Sequence, residues 1–212
     1  MLLAFATEIE ADPFIDYHGL KKQNTSDPYL LYEKDNISLI ITGMGSIKGA
    51  VYLSDTMQKK KREGIAVTKV INYGVAGCLT DKFCIGDIVE IDKVIKYNTI
   101  EFSRPRPTRY FLSSFPEIKV NEKEGDINIL ATSDHPIFTK EDSKSVARYA
   151  EFVDMEGYGY AFVTKYYNIP ITLIKGISDF AFKQSEETFK QNVKKCLLKL
   201  LTFHSAGGTF NE

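Results

Sequence analysis

Residues 171–181 read ITLIKGISDFA, a β-branched apolar run that gives way at Ser178-Asp179 to a polar pair with small or apolar residues around it. A short run of this composition has the pattern of a buried strand, and in open α/β sheets ligands collect beyond the carboxyl ends of such strands. Asp179 therefore stands where chemistry is usually done. In apolar company its pKa rises from a reference of about 3.9, as a general acid working near neutral pH requires. A helix cap is the competing reading, since Ser and Asp also start helices.

Outward from this segment, periodicity predicts further strands over Leu2–Thr7, Tyr29–Glu33, Ile37–Thr42, Lys69–Tyr73, Asp87–Val94 and Ile127–Thr132, with Ile171–Ile177 the last. Helices are expected over Ser46–Arg62, Met155–Tyr167 and Glu186–Phe203, the last with Val193, Cys196, Leu197, Leu200 and Leu201 on one face. Strands alternating with helices argue for an α/β sheet with helices on its faces. Without an internal repeat or a Gly/Ser linker, one domain over residues 1–205 is expected, followed by a frayed tail, 206–212. The irregular stretch from Phe102 to Glu124, with RPRPTRY and SSFPE, reads as a long surface excursion of the kind found beside active sites and interfaces. Its Arg104, Arg106 and Arg109 fit a solvated, proline-stiffened loop better than a phosphate or nucleic-acid contact.

Composition narrows the partners. The 212 residues are 43% hydrophobic and 26% charged, enough to bury a sizeable core without staples. With 27 basic and 28 acidic residues the net charge is −1, so no whole-chain field draws the protein to nucleic acid or an anionic membrane, and a small molecule is the better default partner. Cys78, Cys84 and Cys196 form neither a CxxC pair nor a metal-ligand cluster, and their odd number argues against a complete disulfide framework. A reducing compartment follows. No basic segment precedes the run Leu2 to Ala6 and no apolar stretch approaches membrane-spanning length, so the cytoplasm is the expected address.

Glycines and acids cluster after the predicted strands. GMG at Gly43–Gly45, GVAG at Gly74–Gly77 and Gly86 read as turns where backbone can approach a ligand, although tight packing of turn on sheet explains any one of them as well. Glu10 in ATEIEAD lies just beyond the first strand, and Glu156 in FVDMEGYGYAF lies where a short strand gives way to a helix. With Asp179 this puts three carboxylates at three strand ends. Acids there also serve as caps and first-turn charges, and spacing does not separate the two readings.

Seven segments, FATEIEA, TGMGSIKGA, NYGVAGCL, IGDIVEID, ATSDHPI, VDMEGYGYAFV and ISDFA, occur in the order found in the purine nucleoside phosphorylase and nucleosidase superfamily. The chain resembles most its hydrolytic branch, the methylthioadenosine/S-adenosylhomocysteine nucleosidases. That resemblance implies a nucleoside phosphorylase-like α/β domain with a central twisted, mixed and mostly parallel sheet, no metal or organic cofactor, a nucleoside substrate, and a homodimer in which the neighbour closes the end of the pocket. It implies that Asp179 protonates the departing purine and Glu10 orients and deprotonates the attacking water. By the same resemblance Met155 and Glu156 grip the ribose, the backbone of Phe152, Val153 and Asp154 and that of Ile137 face the base, Ala76 and Gly77 line the pocket, Ser178 holds Asp179, and Ala181 completes the substrate-binding set.

The chemistry accounts for such a set. Cleaving a purine N-glycosidic bond builds positive charge on the sugar and negative charge on the base, so one acid must neutralise the base while another carboxylate favours the cation and water enters from the opposite face. Phosphorylases that resemble this chain carry an Arg and a Ser for phosphate where it has Asn72 and Val75. A phosphate dianion buried without a cation costs several kcal/mol, so water is the expected nucleophile. Departures from the nucleosidases fall at Pro136, where they show a base-stacking aromatic, at Lys175, where they have Arg, and at Val75, where they have a hydroxyl residue; Phe138 is the candidate replacement for stacking. A futalosine hydrolase is the second expectation, with a phosphate-dependent purine nucleoside phosphorylase as a further alternative. A nucleoside-binding protein without turnover is the alternative from a different class, opposed by the presence of all three acids.

Overall fold

The structure is a computed structural model that describes residues 1–97, 117–123, 125–137, 139–181 and 186–207. The arginine-rich stretch around Arg104, Arg106 and Arg109, and Phe138, lie outside the described residues. In chain order the elements are β1 (Leu2–Phe5), α1 (Glu8–His18), β2 (Lys21–Lys22), β3 (Leu30–Lys34), β4 (Ile37–Ile41), α2 (Ser46–Arg62), β5 (Val70–Cys78), β6 (Ile88–Glu90), β7 (Lys93–Tyr97), β8 (Glu117–Lys119), β9 (Ile129–Ser133), α3 (Lys140–Val146), β10 (Phe152–Asp154), α4 (Gly157–Tyr166), β11 (Ile171–Phe180) and α5 (Glu186–Ser205).

Among the described residues eleven strands form one mixed sheet, in the order β2-β3-β4-β1-β5-β10-β9-β7-β8, with β11 on the other edge of β5 and β6 beyond it. Parallel ladders make its centre: β1 with β4 and β5, β11 with β5, and β9 with β7 and β10. Antiparallel ladders add β2, β3, β6 and β8 at the margins and join β10 to β5.

Side-chain alternation along the strands sorts the core into two layers. Leu2 and Ala4 of β1 pack with Leu53, Met57, Tyr160 and Leu173 under α2 and α4, whereas Leu3 and Phe5 pack with Phe14, Tyr73, Val193 and Leu200 under α1 and α5. All four residues of β1 are wholly buried, which is why its sequence is an unbroken apolar run.

Three strand expectations are corrected, each for a reason visible in the pairing. The GVAG segment is not a turn: β5 continues through it to Cys78, because β11 pairs with it along its whole length and β10 takes over its opposite edge at Gly77 and Cys78. Likewise β11 does not stop at Ile177. It runs to Phe180 with a register shift between Ile177 and Asp179, so Ser178 is bulged and Asp179 pairs with Gly77. The segment 87–94 divides into β6 and β7 at Asp92, whose buried carboxylate accepts from Asn128 N at 2.7 Å and Asn121 Nδ2 at 3.0 Å. In addition, β8 lies within the stretch expected to be irregular.

Helix α1 was not expected. Thr7 caps it through a reciprocal box with Glu10, and Gly19 ends it at φ 62° in the left-handed region. The box is itself part of the site.

Candidate active site

Along one edge of β5, β1 pairs with residues 70–72 and β10 with residues 77–78, so β1 and β10 leave a notch between them at residues 73–76. Glu10, in the first turn of α1 just after β1, fills that notch. Its Oε1 accepts from Val75 N at 3.2 Å, and its Oε2 accepts from Thr7 N at 3.0 Å and Thr7 Oγ1 at 2.8 Å. These donors hold a buried carboxylate in one orientation and supply the stabilisation that burial removes. A Cβ at Gly74 would lie 3.1 Å from Glu10 Oε1 and 3.4 Å from Lys175 Nζ, so the absence of a side chain there lets carboxylate and ammonium approach the strand together.

Asp179 reaches the same stretch of β5 from the other edge. A Cβ at Gly77 would lie 3.2 Å from Asp179 Oδ2, 3.2 Å from the Ala181 methyl and 3.3 Å from Val153 Cγ1. Ser178 Oγ donates to Asp179 Oδ1 at 2.6 Å and lies 3.4 Å from the Ala76 carbonyl, so Oδ1 is occupied while Oδ2 faces the bare flank of Gly77. Burial raises the Asp179 carboxyl above its ordinary range, and the Ser178 hydroxyl pulls the other way. The bulge is held from behind by Asn192 Nδ2, which donates to the Ser178 carbonyl at 2.9 Å, and by Ala181 N, which donates to Cys78 O at 3.1 Å. Val153, Ala181 and Ile137 belong to one apolar cluster with Ile95, Tyr97 and Ala131.

Glu156 stands at the N-terminal end of α4 with its side chain turned away from the helix amides, and it accepts from Gly45 N at 2.7 Å, joining the GMG turn to the DMEG turn. Burial, and next the like charge of Asp154, push its carboxyl up to about 7. Asp154 itself forms a salt bridge of 2.9 Å with Lys175, both side chains being 2% exposed. It also accepts from Thr132 Oγ1 at 2.7 Å and from Gly157 N at 2.9 Å. Met155, between the two acids, is half-buried. Phe152 is wholly buried in the α2/α4 layer, against the Phe83 ring at 4.8 Å, and only its backbone in β10 approaches the others.

The structure thus brings Glu10, Ala76, Gly77, Val153, Ser178, Asp179 and Ala181 to one end of β5. Asp154 and Lys175 line the layer under α4, with Met155 and Glu156 at that helix's start and Ile137 on the apolar flank. Sequence reasoning missed the side-chain pair of Asp154 and Lys175, although a lysine inside an apolar strand was its signal. It also missed Thr7, whose signal was the T-x-x-E spacing, and the Gly45 N–H, which has none. Among the described residues no group of three or more His, Cys, Asp or Glu side chains could hold a metal ion.

Residues 4–203 match the profile of the phosphorylase superfamily, and the chain belongs to that family. Among curated relatives it is similar to the 5′-methylthioadenosine/S-adenosylhomocysteine nucleosidase of Buchnera aphidicola subsp. Acyrthosiphon pisum, 27% identical over 203 residues, covering 84% of this chain and 83% of that one. The nucleosidase of the same name from Bacillus cereus is 26% identical over 188 residues, covering 79% and 78%. Two solved structures from Helicobacter pylori share the fold at 19% identity and TM-score 0.78. One is a futalosine hydrolase mutant, covering 96% of both chains; the other is a nucleosidase mutant with 5′-methylthioadenosine in its active site, covering 97% of this chain and 96% of that one.

Proposed function

We propose that the chain hydrolyses the N-glycosidic bond of a purine nucleoside, a 5′-thio-substituted adenosine, to free base and sugar. The observation that carries this reading is the convergence of Glu10 and Asp179 on one four-residue stretch of β5, the first bonded to Val75 and the second beside Gly77. Val75 and Gly77 are two residues apart on an extended strand, roughly 7 Å. The curated relatives named as nucleosidases support the substrate class.

The mechanism follows from the hydrogen bonds. With Oδ1 taken by Ser178, the proton of Asp179 resides on Oδ2 and passes to a ring nitrogen of the purine as the bond to the sugar breaks and its electrons leave with the base. Glu10 keeps a free lone pair on Oε1 beside Gly74. It accepts a proton from the water that attacks the anomeric carbon, and its charge favours the sugar cation. Glu156 accepts from the ribose hydroxyls, Met155 packs on the sugar, and Val153, Ile137 and Ala181 form the apolar wall for the base. Acid and base groups positioned in this way typically contribute about 10²–10⁴-fold each.

Water is favoured over phosphate by the engagements of Asn72, which stands where phosphorylases carry the phosphate-binding Arg, and of Lys175. Asn72 is buried and donates to Ala4 O at 2.9 Å and Tyr73 O at 3.2 Å, so its amide is spent inside the core. Lys175 is committed to Asp154. Futalosine hydrolysis is the second reading, favoured by the apolar Val75 where nucleosidases carry a hydroxyl residue.

A homodimer is the proposed assembly. Met44 just before α2, Ile47 and Val51 on α2, and Phe162 and Tyr166 on α4 are exposed where the two helices pack against each other next to Glu156, and a second copy would cover them. Among the described residues no helix is long and apolar enough to cross a membrane. The three cysteines are free thiols, which supports a reducing compartment such as the cytoplasm. Incubation with methylthioadenosine, S-adenosylhomocysteine, futalosine, adenosine and inosine tests the reading. Preferential release of adenine from the thio-substituted substrates is expected, and turnover of futalosine alone would replace it with the second reading.

A further inference from the structure

Glu10, Asp154, Glu156 and Lys175 are all buried within one cluster, three acids around a single base. Their support is unequal. Glu10 receives Thr7 N, Thr7 Oγ1 and Val75 N; Asp154 receives Thr132 Oγ1, Gly157 N and the Lys175 ammonium. Among the described residues Glu156 receives one donor, the Gly45 N–H. Of the groups facing it from the packed elements, Lys175 adds only the pull of a charge already bonded to Asp154, a smaller effect than the Gly45 N–H. Tyr160 of α4 is tied to Thr42 Oγ1 at 2.6 Å, and Glu10 of α1 and Asp154 of β10 are like charges. Lys175 of β11 is engaged, and Lys96 of β7 is paired with Asp134 behind Ser46. With all three acids ionised the cluster would bury two uncompensated negative charges, so a proton goes to the carboxylate with the fewest donors.

We propose that Asp154, by engaging Lys175, is a positioning residue that leaves Glu156 without a cation of its own, so that the free site holds a proton on Glu156 that departs to solvent when the ribose diol binds. The two sugar hydroxyls then supply the donors the carboxylate lacks, and the anion becomes the better form. This inference rests on Glu156 meeting the ribose. It makes nucleoside affinity rise with pH through neutrality, and a merely structural Asp154 would leave the proton release unchanged when that residue is replaced.

The test is calorimetry of methylthioadenosine binding to the whole chain carrying D179N, which removes the site's other raised acid and spares the ligand. Titrations in PIPES and in imidazole at pH 6, 7 and 8 read the protons released. Release is expected to approach one proton per site at pH 6, roughly half at pH 7 and little at pH 8, with affinity about fivefold tighter at pH 7 than at pH 6. In D179N/E156Q the release is expected to vanish. In D179N/D154N, where Lys175 is free to serve Glu156, it is expected to fall. Binding without proton release at pH 6, release that persists in D179N/E156Q, or release unchanged by D154N would overturn the inference. A nucleoside that does not bind at all would overturn the functional reading as well.

Discussion

Gly159→Ala probes how packing sets the sugar site. A Cβ at this position would stand 2.2 Å from the Ser46 carbonyl oxygen, 3.0 Å from its carbon and 3.2 Å from its Cα, all backbone atoms at the start of α2. Nothing flexible can yield, so α2 must retreat from α4 by about 1 Å to reach ordinary contact. Residue 45 precedes Ser46, and its N–H is the donor held 2.7 Å from Glu156 Oε1. A retreat of about 1 Å takes that bond beyond hydrogen-bonding distance. Overpacking costs about 1–3 kcal/mol, offset by as much as about 1 kcal/mol from the better helix propensity of alanine. For a chain of this size the melting temperature is expected to fall by several degrees, at about 2–4 °C per kcal/mol. The displaced sugar clamp is expected to lower kcat/KM for base release by about 10–100-fold. Thermal melts and steady-state kinetics on the same preparation read both quantities. A Gly159→Ala protein that melts and turns over like wild type would refute the link between helix approach and site geometry.

Two further predictions concern the ends of α1 and α5 and the proposed dimer face. His18 Nε2 and His204 Nε2 lie 2.7 Å apart, and His204 Nδ1 is 2.9 Å from the Tyr73 hydroxyl, which joins the ends of α1 and α5 to β5. Burial and then the neighbouring His18 lower His204 from 6.5 to about 4, and burial and then Lys34 lower His18. The unfolded chain therefore takes up protons near pH 6.5 that the folded chain resists until about pH 4, and stability is lost as pH falls through that window. Because His204 is only half-buried, the loss expected from it is about 1–2 kcal/mol after allowing for solvent screening. Urea midpoints between pH 7 and pH 4.5 should fall less in His204→Gln than in wild type, and equal falls would contradict this. At the proposed dimer face, Ile47→Glu puts a charge into an apolar patch and is expected to yield a monomer in sedimentation equilibrium at micromolar concentration. A wild-type protein that is itself monomeric there would dismiss the interface.

Much of the architecture was legible in the sequence because its signals are local. Helix α2 spans Ser46–Arg62 as periodicity predicts, with a glycine before it and a basic end after it. The buried strands follow their apolar runs. Helix α1 was hidden because Pro13 lies inside it and only Glu10, Ala11 and Phe14 of its residues are buried, leaving little periodic signal. The continuation of β5 through Gly74–Gly77 was illegible for a different reason. Glycine reads as a turn, yet here strands on both edges hold it extended and its missing side chains admit Glu10, Lys175 and Asp179. Position 179 was found from its strand-end context, but the bulge at Ser178 that sets Asp179 against Gly77 depends on pairing between distant segments. For Lys175 the apolar run around it signalled a buried charge, but that its partner is Asp154 depends likewise on pairing between distant segments.

The most direct measurement is the rate of adenine release from methylthioadenosine by the wild-type protein and by Asp179→Asn, each with and without inorganic phosphate. The account predicts release that phosphate does not accelerate and that falls by about 10²–10⁴-fold in the variant while the nucleoside still binds. Full activity in Asp179→Asn, or a requirement for phosphate with formation of a sugar 1-phosphate, would contradict it.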